Sequence, residues 1–206
     1  MTSHAEPADV HAHHGPPAAN RSSRLDPATL GMFLFIASEA MLFGAFFTAY
    51  FFVRVVNPLA PAEWPPPPYE FPVFVAAVNT AILVTSSFTI QFGINAIRRG
   101  DQRKLRMWVG LTLLLGVVFL LGQLYDYSTL GFGIGDGIFG TTFYTLTGFH
   151  GAHVFGGAVG MTILFARASQ GQFSAKNHVA VEAISIYWHF VDVVWIALYF
   201  TLYWLK

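Results

Sequence analysis

The sequence contains no cysteine, so it has no disulfide framework, no thiolate metal site and no thiol nucleophile; any metal would have to be held by histidine and carboxylate. Charge is also scarce: 11 % of the 206 residues are charged, well below the share in an ordinary soluble domain, and the formal net charge is zero. That balance offers nothing to a nucleic-acid partner, and none is expected. The N-terminal 25 residues lack the apolar core of a signal peptide and read as a polar tail rich in His, Pro and Ala, carrying His4, His11, His13 and His14. Four histidines in such a tail are read as solvated rather than as a metal site.

What the sequence does have is apolar length. Hydrophobic residues make up 54 % of the chain and aromatics 17 %, and the few charges gather between long apolar runs. This is the pattern of an all-α polytopic membrane protein with five transmembrane helices in one bundle, a single unit over residues 26–206. The spans are predicted at about 27–54, 72–97, 107–127, 138–166 and 179–205. Asp26-Pro27 gives the first helix an N-cap and a proline at its first position. Trp64 and the run Pro65 to Pro68 form a stiff extended loop after it. With a cytoplasmic N-terminus, nine of the eleven basic residues fall inside and only Arg54 and Lys206 outside. The orientation is therefore N-terminus cytoplasmic, C-terminus outside.

Ionisable residues inside these spans are the candidates for function, because each is costly to insert. The fifth span carries Glu182, Ser185, His189 and Asp192 at intervals of three, four and three, one polar face of a helix. His189 and Asp192 are within reach of each other or of a shared neighbour. The fourth span carries His150 and His153 beside Gly148, Ala152, Gly156 and Gly160, a ridge that lets another helix approach closely. Glu39 lies about 18 Å along the first span at ~1.5 Å per residue. From the cytoplasmic ends, Glu39, His153, His189 and Asp192 all lie roughly 15 to 20 Å deep, where they can satisfy each other. Glu182 sits nearer the surface and is read as partly buried. The second span's Thr80, Ser87 and Gln91 form a mildly polar stripe expected to pack against another helix. Gln123 and Asp126 close the third span, and Asp126 is read as solvated at the far interface.

The two histidine-bearing stretches, G-F-H-G-A-H-V at Gly148 to Val154 and Y-W-H-F-V-D-V-V-W at Tyr187 to Trp195, resemble subunit III of cytochrome c oxidase. S-E-A-M-L-F around Glu39, W-P-P-P in the loop and Glu182 in the fifth helix are similar in the same order, and the resemblance runs from about Gly31 to Trp204. It implies an accessory subunit without catalytic residues, heme or copper of its own, in a proton-pumping oxidase that passes electrons from cytochrome c to oxygen. Heme and copper are then held by subunits I and II. Subunit I is the main contact, with subunit II and possibly a small subunit IV as further partners. The expected location is the bacterial cytoplasmic membrane. The resemblance also implies bound phospholipid, support of proton uptake and protection of subunit I during turnover. By the same resemblance Glu39 is the family's intramembrane glutamate, and His150, His153, Glu182, His189 and Asp192 are its buried polar core.

Two features depart from the seven-span members. Two further N-terminal helices, which form a lipid cleft with the rest, are lacking in this five-span sequence, and Asp126 stands where the family usually has glutamate. The five-span form and the histidine-rich tail are also similar to subunit III of bacterial quinol oxidases, while Glu39 and the proline-rich loop favour the cytochrome c type. Two other classes compete. A membrane metalloenzyme would use His150, His153 and His189 with Asp192, Glu39 or Glu182, a thin ligand set. A free-standing proton transporter would use the aligned carboxylates and histidines, but the spans show no internal repeat.

Overall fold

Five helices, each 26 to 33 residues long with its terminal turns and apolar enough to cross a membrane, account for nearly all of the computed structural model, which describes residues 26–56, 64 and 73–205. At ~1.5 Å per residue each exceeds the roughly 30 Å of a bilayer's hydrocarbon core. Helix α1 spans Pro27–Phe51 and continues in one wider π-helical stretch, Phe52–Val56. Helices α2, α3 and α4 span Val73–Arg98, Gln102–Thr129 and Gly137–Ser169. Helix α5 spans Val179–Tyr199 and ends in a π-helical stretch, Phe200–Trp204. No strand occurs among the described residues. The polar tail, the run Pro65 to Pro68 and Lys206 lie outside the described residues.

Local chemistry sets the ends. Asp26 accepts the Ala28 N–H at 2.9 Å ahead of Pro27, the cap that the sequence announced. Helix α2 stops at Gly100, whose φ of 80° lies in the left-handed region that favours glycine. Helix α3 begins at Gln102, five residues before the predicted start at Met107, because Asp101 caps it by accepting the Lys104 N–H at 3.0 Å. The charged first turn hid this start from a hydropathy reading. That bond holds the Asp101 carboxyl below the usual carboxylate range. The cap is therefore complete above that range and is lost as pH falls through the lowered value.

Helices α2, α3, α4 and α5 pack as a closed four-helix ring, and α1 lies outside it against α4 and α5. The ring's centre is built by two tryptophans of α5, Trp188 and Trp195, both fully buried. Trp188 fits between Gly116 of α3 and Gly157 of α4: a Cβ on either glycine would stand 2.6 to 2.7 Å from its ring carbons. Only glycine allows both backbones to come that close. One helical repeat further on, Trp195 meets Phe119 of α3 edge-on at 4.8 Å and stacks on His150 of α4 at 4.9 Å. The expected small-residue ridge is only half used. Gly156 and Gly160 face Tyr187 and Ile184 of α5, whereas nothing in the described chain comes within 4 Å of a Cβ on Gly148, and Ala152 is exposed. The tight notch is Gly157, one position off the ridge.

At the end opposite Arg98, Trp64 is tied down by donating Nε1–H to the Tyr50 hydroxyl at 2.9 Å and meeting Phe139 at 5.0 Å. Outward-facing Phe33, Leu34, Met41, Phe74, Leu121 and Val193 are exposed, as the walls of a membrane bundle must be.

Candidate site: the buried polar contacts

The indole N–H groups of the two central tryptophans need acceptors inside an apolar bundle, and α2 provides them. Trp188 donates to Ser86 at 2.8 Å and Trp195 to Thr80 at 3.0 Å. Between these two lies a three-membered polar contact. Ser87 of α2 hydrogen-bonds His189 Nδ1 at 2.9 Å and also Asp192 Oδ2. The pair His189 and Asp192, three residues apart on α5, thus shares one neighbour on another helix. Lower on the same seam Arg98 donates to Glu182 at 2.7 Å, and His178 Nε2 lies 3.3 Å from the same carboxylate. The paired numbers run in opposite directions, as antiparallel helices require. Thr80 and Ser87 form the interface expected of their stripe, while Gln91 is exposed and takes no part. Glu182 is partly buried, at 30 % side-chain exposure opposite an Arg98 that is 55 % exposed. A pair so open to its surroundings contributes little stability.

The second contact joins α1 to α4. Glu39 Oε2 lies 2.9 Å from His153 Nε2, and His153 Nδ1 lies 2.7 Å from the Phe149 carbonyl oxygen. A carbonyl only accepts, so Nδ1 carries a hydrogen and donates it. One proton then remains between Nε2 and the carboxylate, on one side or the other. In either form the pair is neutral overall, which is how two ionisable groups are accommodated in a bilayer. Tyr187 of α5 donates to the His153 carbonyl at 2.9 Å, and the Phe35 and Phe43 rings of α1 pack on Tyr187, His153 and Phe190. Among the described residues, the Glu39–His153 bond is the one side-chain hydrogen bond between α1 and the ring, and it lies inside an aromatic collar.

The four deep groups therefore form two separate contacts, Glu39 with His153 and Ser87 with His189 and Asp192, instead of one shared core. His150 joins neither. It is fully buried between Phe119 and Trp195, and neither ring nitrogen has a hydrogen-bond partner among the described residues. The three histidines do not converge. Among the described residues no three His, Asp or Glu side chains group closely enough to hold a metal ion. Asp126 also departs from expectation: it is buried, with Gln123 one turn before it and beside the Tyr127 hydroxyl, and the Asp126 carboxylate has no hydrogen-bond partner among the described residues. Sequence reasoning marked Thr80 and Ser87 as an interface without naming α5 as its partner, and it missed Ser86 altogether.

Known proteins resemble the chain over almost its whole length. The profile of the family described as "Cytochrome c oxidase subunit III" matches residues 18–206. A protein of Thermostichus vulcanus named "Cytochrome c oxidase subunit 3" is 41 % identical over 194 residues, 94 % of this chain and 90 % of that protein. One of the same name from Synechocystis sp. is 40 % identical over 198 residues, 96 % of this chain and 80 % of its own. A third, from Corynebacterium diphtheriae, is 38 % identical over 209 residues, covering both chains completely.

Proposed function

The chain belongs to the cytochrome c oxidase subunit III family, and from that premise we propose that it is the accessory, non-catalytic subunit III of a proton-pumping oxidase that takes electrons from cytochrome c. The observation that carries the accessory role is the use made of the motif residues. His153, His189 and Asp192 are engaged in bonds between helices, Glu39 with α4 and Ser87 with α5, so the motifs hold the bundle in register. Electron transfer and oxygen chemistry then belong to the heme- and copper-bearing subunits I and II, with subunit I as the main neighbour and a small subunit IV as a further one. The names of the relatives support cytochrome c over quinol as donor.

In this reading the chain lies in a bacterial cytoplasmic membrane with its N-terminus inside, since the ends of α2 and α4 and the starts of α3 and α5 bring Arg98, Arg99, Arg103, Lys104, Arg106, Arg167 and Lys176 to one side. It binds phospholipid along its exposed apolar faces, sustains proton uptake into subunit I and keeps that subunit from inactivating during turnover. Glu39→Ala in the assembled oxidase tests the role. Heme absorption spectra should be unchanged and the initial rate retained, while activity or bound phospholipid is lost sooner during sustained turnover. Loss of heme from the Glu39→Ala complex would contradict an accessory role.

A further inference from the structure

The connection from α4 to α5, residues 170–178, folds back onto the end of the bundle. Phe173 is buried, the Arg167 guanidinium lies 5.0 Å over its ring, and Gln102 of α3 donates to its carbonyl at 2.9 Å. Ser174 and Asn177 exchange both of their backbone N–H···O bonds, each at 3.1 Å, and so close a tight turn. His178 ends this connection and is the cap residue of α5, yet its side chain makes no capping hydrogen bond to the helix. Its ring instead bridges the turn and the helix: Nδ1 lies 3.2 Å from the Ser174 carbonyl oxygen, and Nε2 lies 3.3 Å from Glu182 Oε1. Arg98 of α2 donates to the same Oε1 from Nε at 3.2 Å and from a terminal nitrogen at 2.7 Å.

Both ring nitrogens of His178 thus face oxygens that accept hydrogen bonds. A neutral imidazole carries one N–H, so one nitrogen would turn a lone pair toward the carbonyl or toward the carboxylate. An imidazolium carries two, satisfies both oxygens, and is opposite in charge to Glu182. The Glu39–His153 contact differs, because there the carboxyl itself can hold the shared proton. Here two N–H groups of Arg98 already occupy Oε1, so a hydrogen between that oxygen and the ring has to come from the ring. We infer that His178 is a pH-sensitive latch. Protonated, it fastens the α4–α5 connection to Glu182 and through it to Arg98; deprotonated, it lets the connection loosen while α2 and α5 stay joined.

The proton comes from solvent at this end of the bundle, where Arg98, Arg99, Lys104 and Lys176 are exposed and mark the aqueous boundary. Ser174, Lys176 and Asn177 beside the ring are exposed, and the His178 side chain itself is 17 % exposed. A hydronium ion gives its proton to Nε2 and leaves as water; release is the reverse, and no other bond is made or broken. The charged groups of the surrounding elements are accounted for. Glu182 of α5 and Arg98 of α2 belong to the contact, and Arg167 of α4 is held by Gln172 and the Phe173 ring. Asp101, ahead of α3, pairs with Lys104 at 3.4 Å. Among the described residues Glu182 is the one carboxylate within ion-pair distance of the His178 ring. The Arg98–Glu182 bond needs no hydrogen from His178, so the ring of helices is intact in both states.

The latch does not depend on the oxidase assignment, and its test uses the full-length protein as purified from its membrane. Hydrogen–deuterium exchange is read at the Ser174 and Asn177 amides at about pH 5.5 and about pH 8, the span over which a histidine changes charge. Rates are expressed as protection relative to an unstructured peptide of the same sequence, so that the pH dependence of exchange itself cancels. Protection should be greater at the lower pH by about two- to fivefold, the size expected of a partly exposed ion pair. In His178→Gln, whose amide does not titrate, the difference should vanish. If His178→Gln disturbs the fold, seen as lost protection in the centres of α2 to α5, Glu182→Gln gives the same reading, because it keeps the shape and removes the charge that favours the imidazolium. Equal protection at the two pH values in the native protein, or an unchanged difference in these variants, would overturn the latch.

Discussion

Trp188→Ala should cost the bundle about 3–5 kcal/mol, the range for removing a fully buried aromatic side chain from a close-packed interior. Trp188 is at the point where α2, α3, α4 and α5 meet, between Gly116 and Gly157 with its N–H on Ser86, so no single neighbour can collapse into the space it leaves. The substitution removes packing from three interfaces and leaves Ser86 without its donor. Trp204→Ala is the matched control, because that side chain is 63 % exposed. Thermal unfolding of the detergent-solubilised protein should show a large fall in stability for the first and a small one for the second. Gly157→Val approaches the same contact from the other side: its Cβ alone would stand 2.7 Å from two Trp188 ring carbons, and a rigid indole cannot yield as a flexible side chain would. Equal stability of the Trp188→Ala and Trp204→Ala proteins would mean that the bundle is not organised around Trp188.

The second large effect is expected at the attachment of α1. Removing one partner of a buried ion pair costs ~3–5 kcal/mol when the other is left fully desolvated. Here both side chains keep some exposure, 12 % for His153 and 17 % for Glu39, and polar bonds between membrane helices reach only about 1.7 kcal/mol. The expected loss for Glu39→Leu or His153→Leu is therefore about 2 kcal/mol. The double variant should be more stable than the sum of the single losses allows, by about 1–2 kcal/mol, because it leaves no orphaned group behind. Since α1 packs only on the outside of the ring, the damage should be local. Limited proteolysis should release α1 first in either single variant while α2 to α5 stay protected. Additive losses across the three variants would mean that the Glu39–His153 contact carries no energy of its own.

These expectations show what the sequence made legible. Five spans followed from apolar length, and the start of α1 from Asp26-Pro27, because both signals are local. The polar face of α5 and the Thr80 and Ser87 stripe on α2 could each be read by helical spacing, and the structure joins them through Ser87. Their pairing was not legible, since it depends on which helices are neighbours. The Trp188 notch was hidden for two reasons. Tryptophan in a membrane sequence usually marks the interface, and Gly116 and Gly157 lie on different helices with no shared period. Gly148, Ala152, Gly156 and Gly160 drew the eye by their regularity, yet tight approach needs one glycine opposite one large ring. Asp126 sits three residues before the end of α3 and reads as solvated on depth alone, but the surrounding side chains cover it.

The central claim is that this five-helix chain is subunit III of a cytochrome c oxidase. It is tested most directly by isolating the chain from its own membrane in mild detergent through a tag on the chain itself, and measuring heme and copper in the fraction. The account predicts stoichiometric heme together with a subunit that holds a dinuclear copper centre. Recovery of the chain alone and free of heme would contradict the assignment, and a heme-bearing complex without the dinuclear copper subunit would contradict cytochrome c as its electron donor.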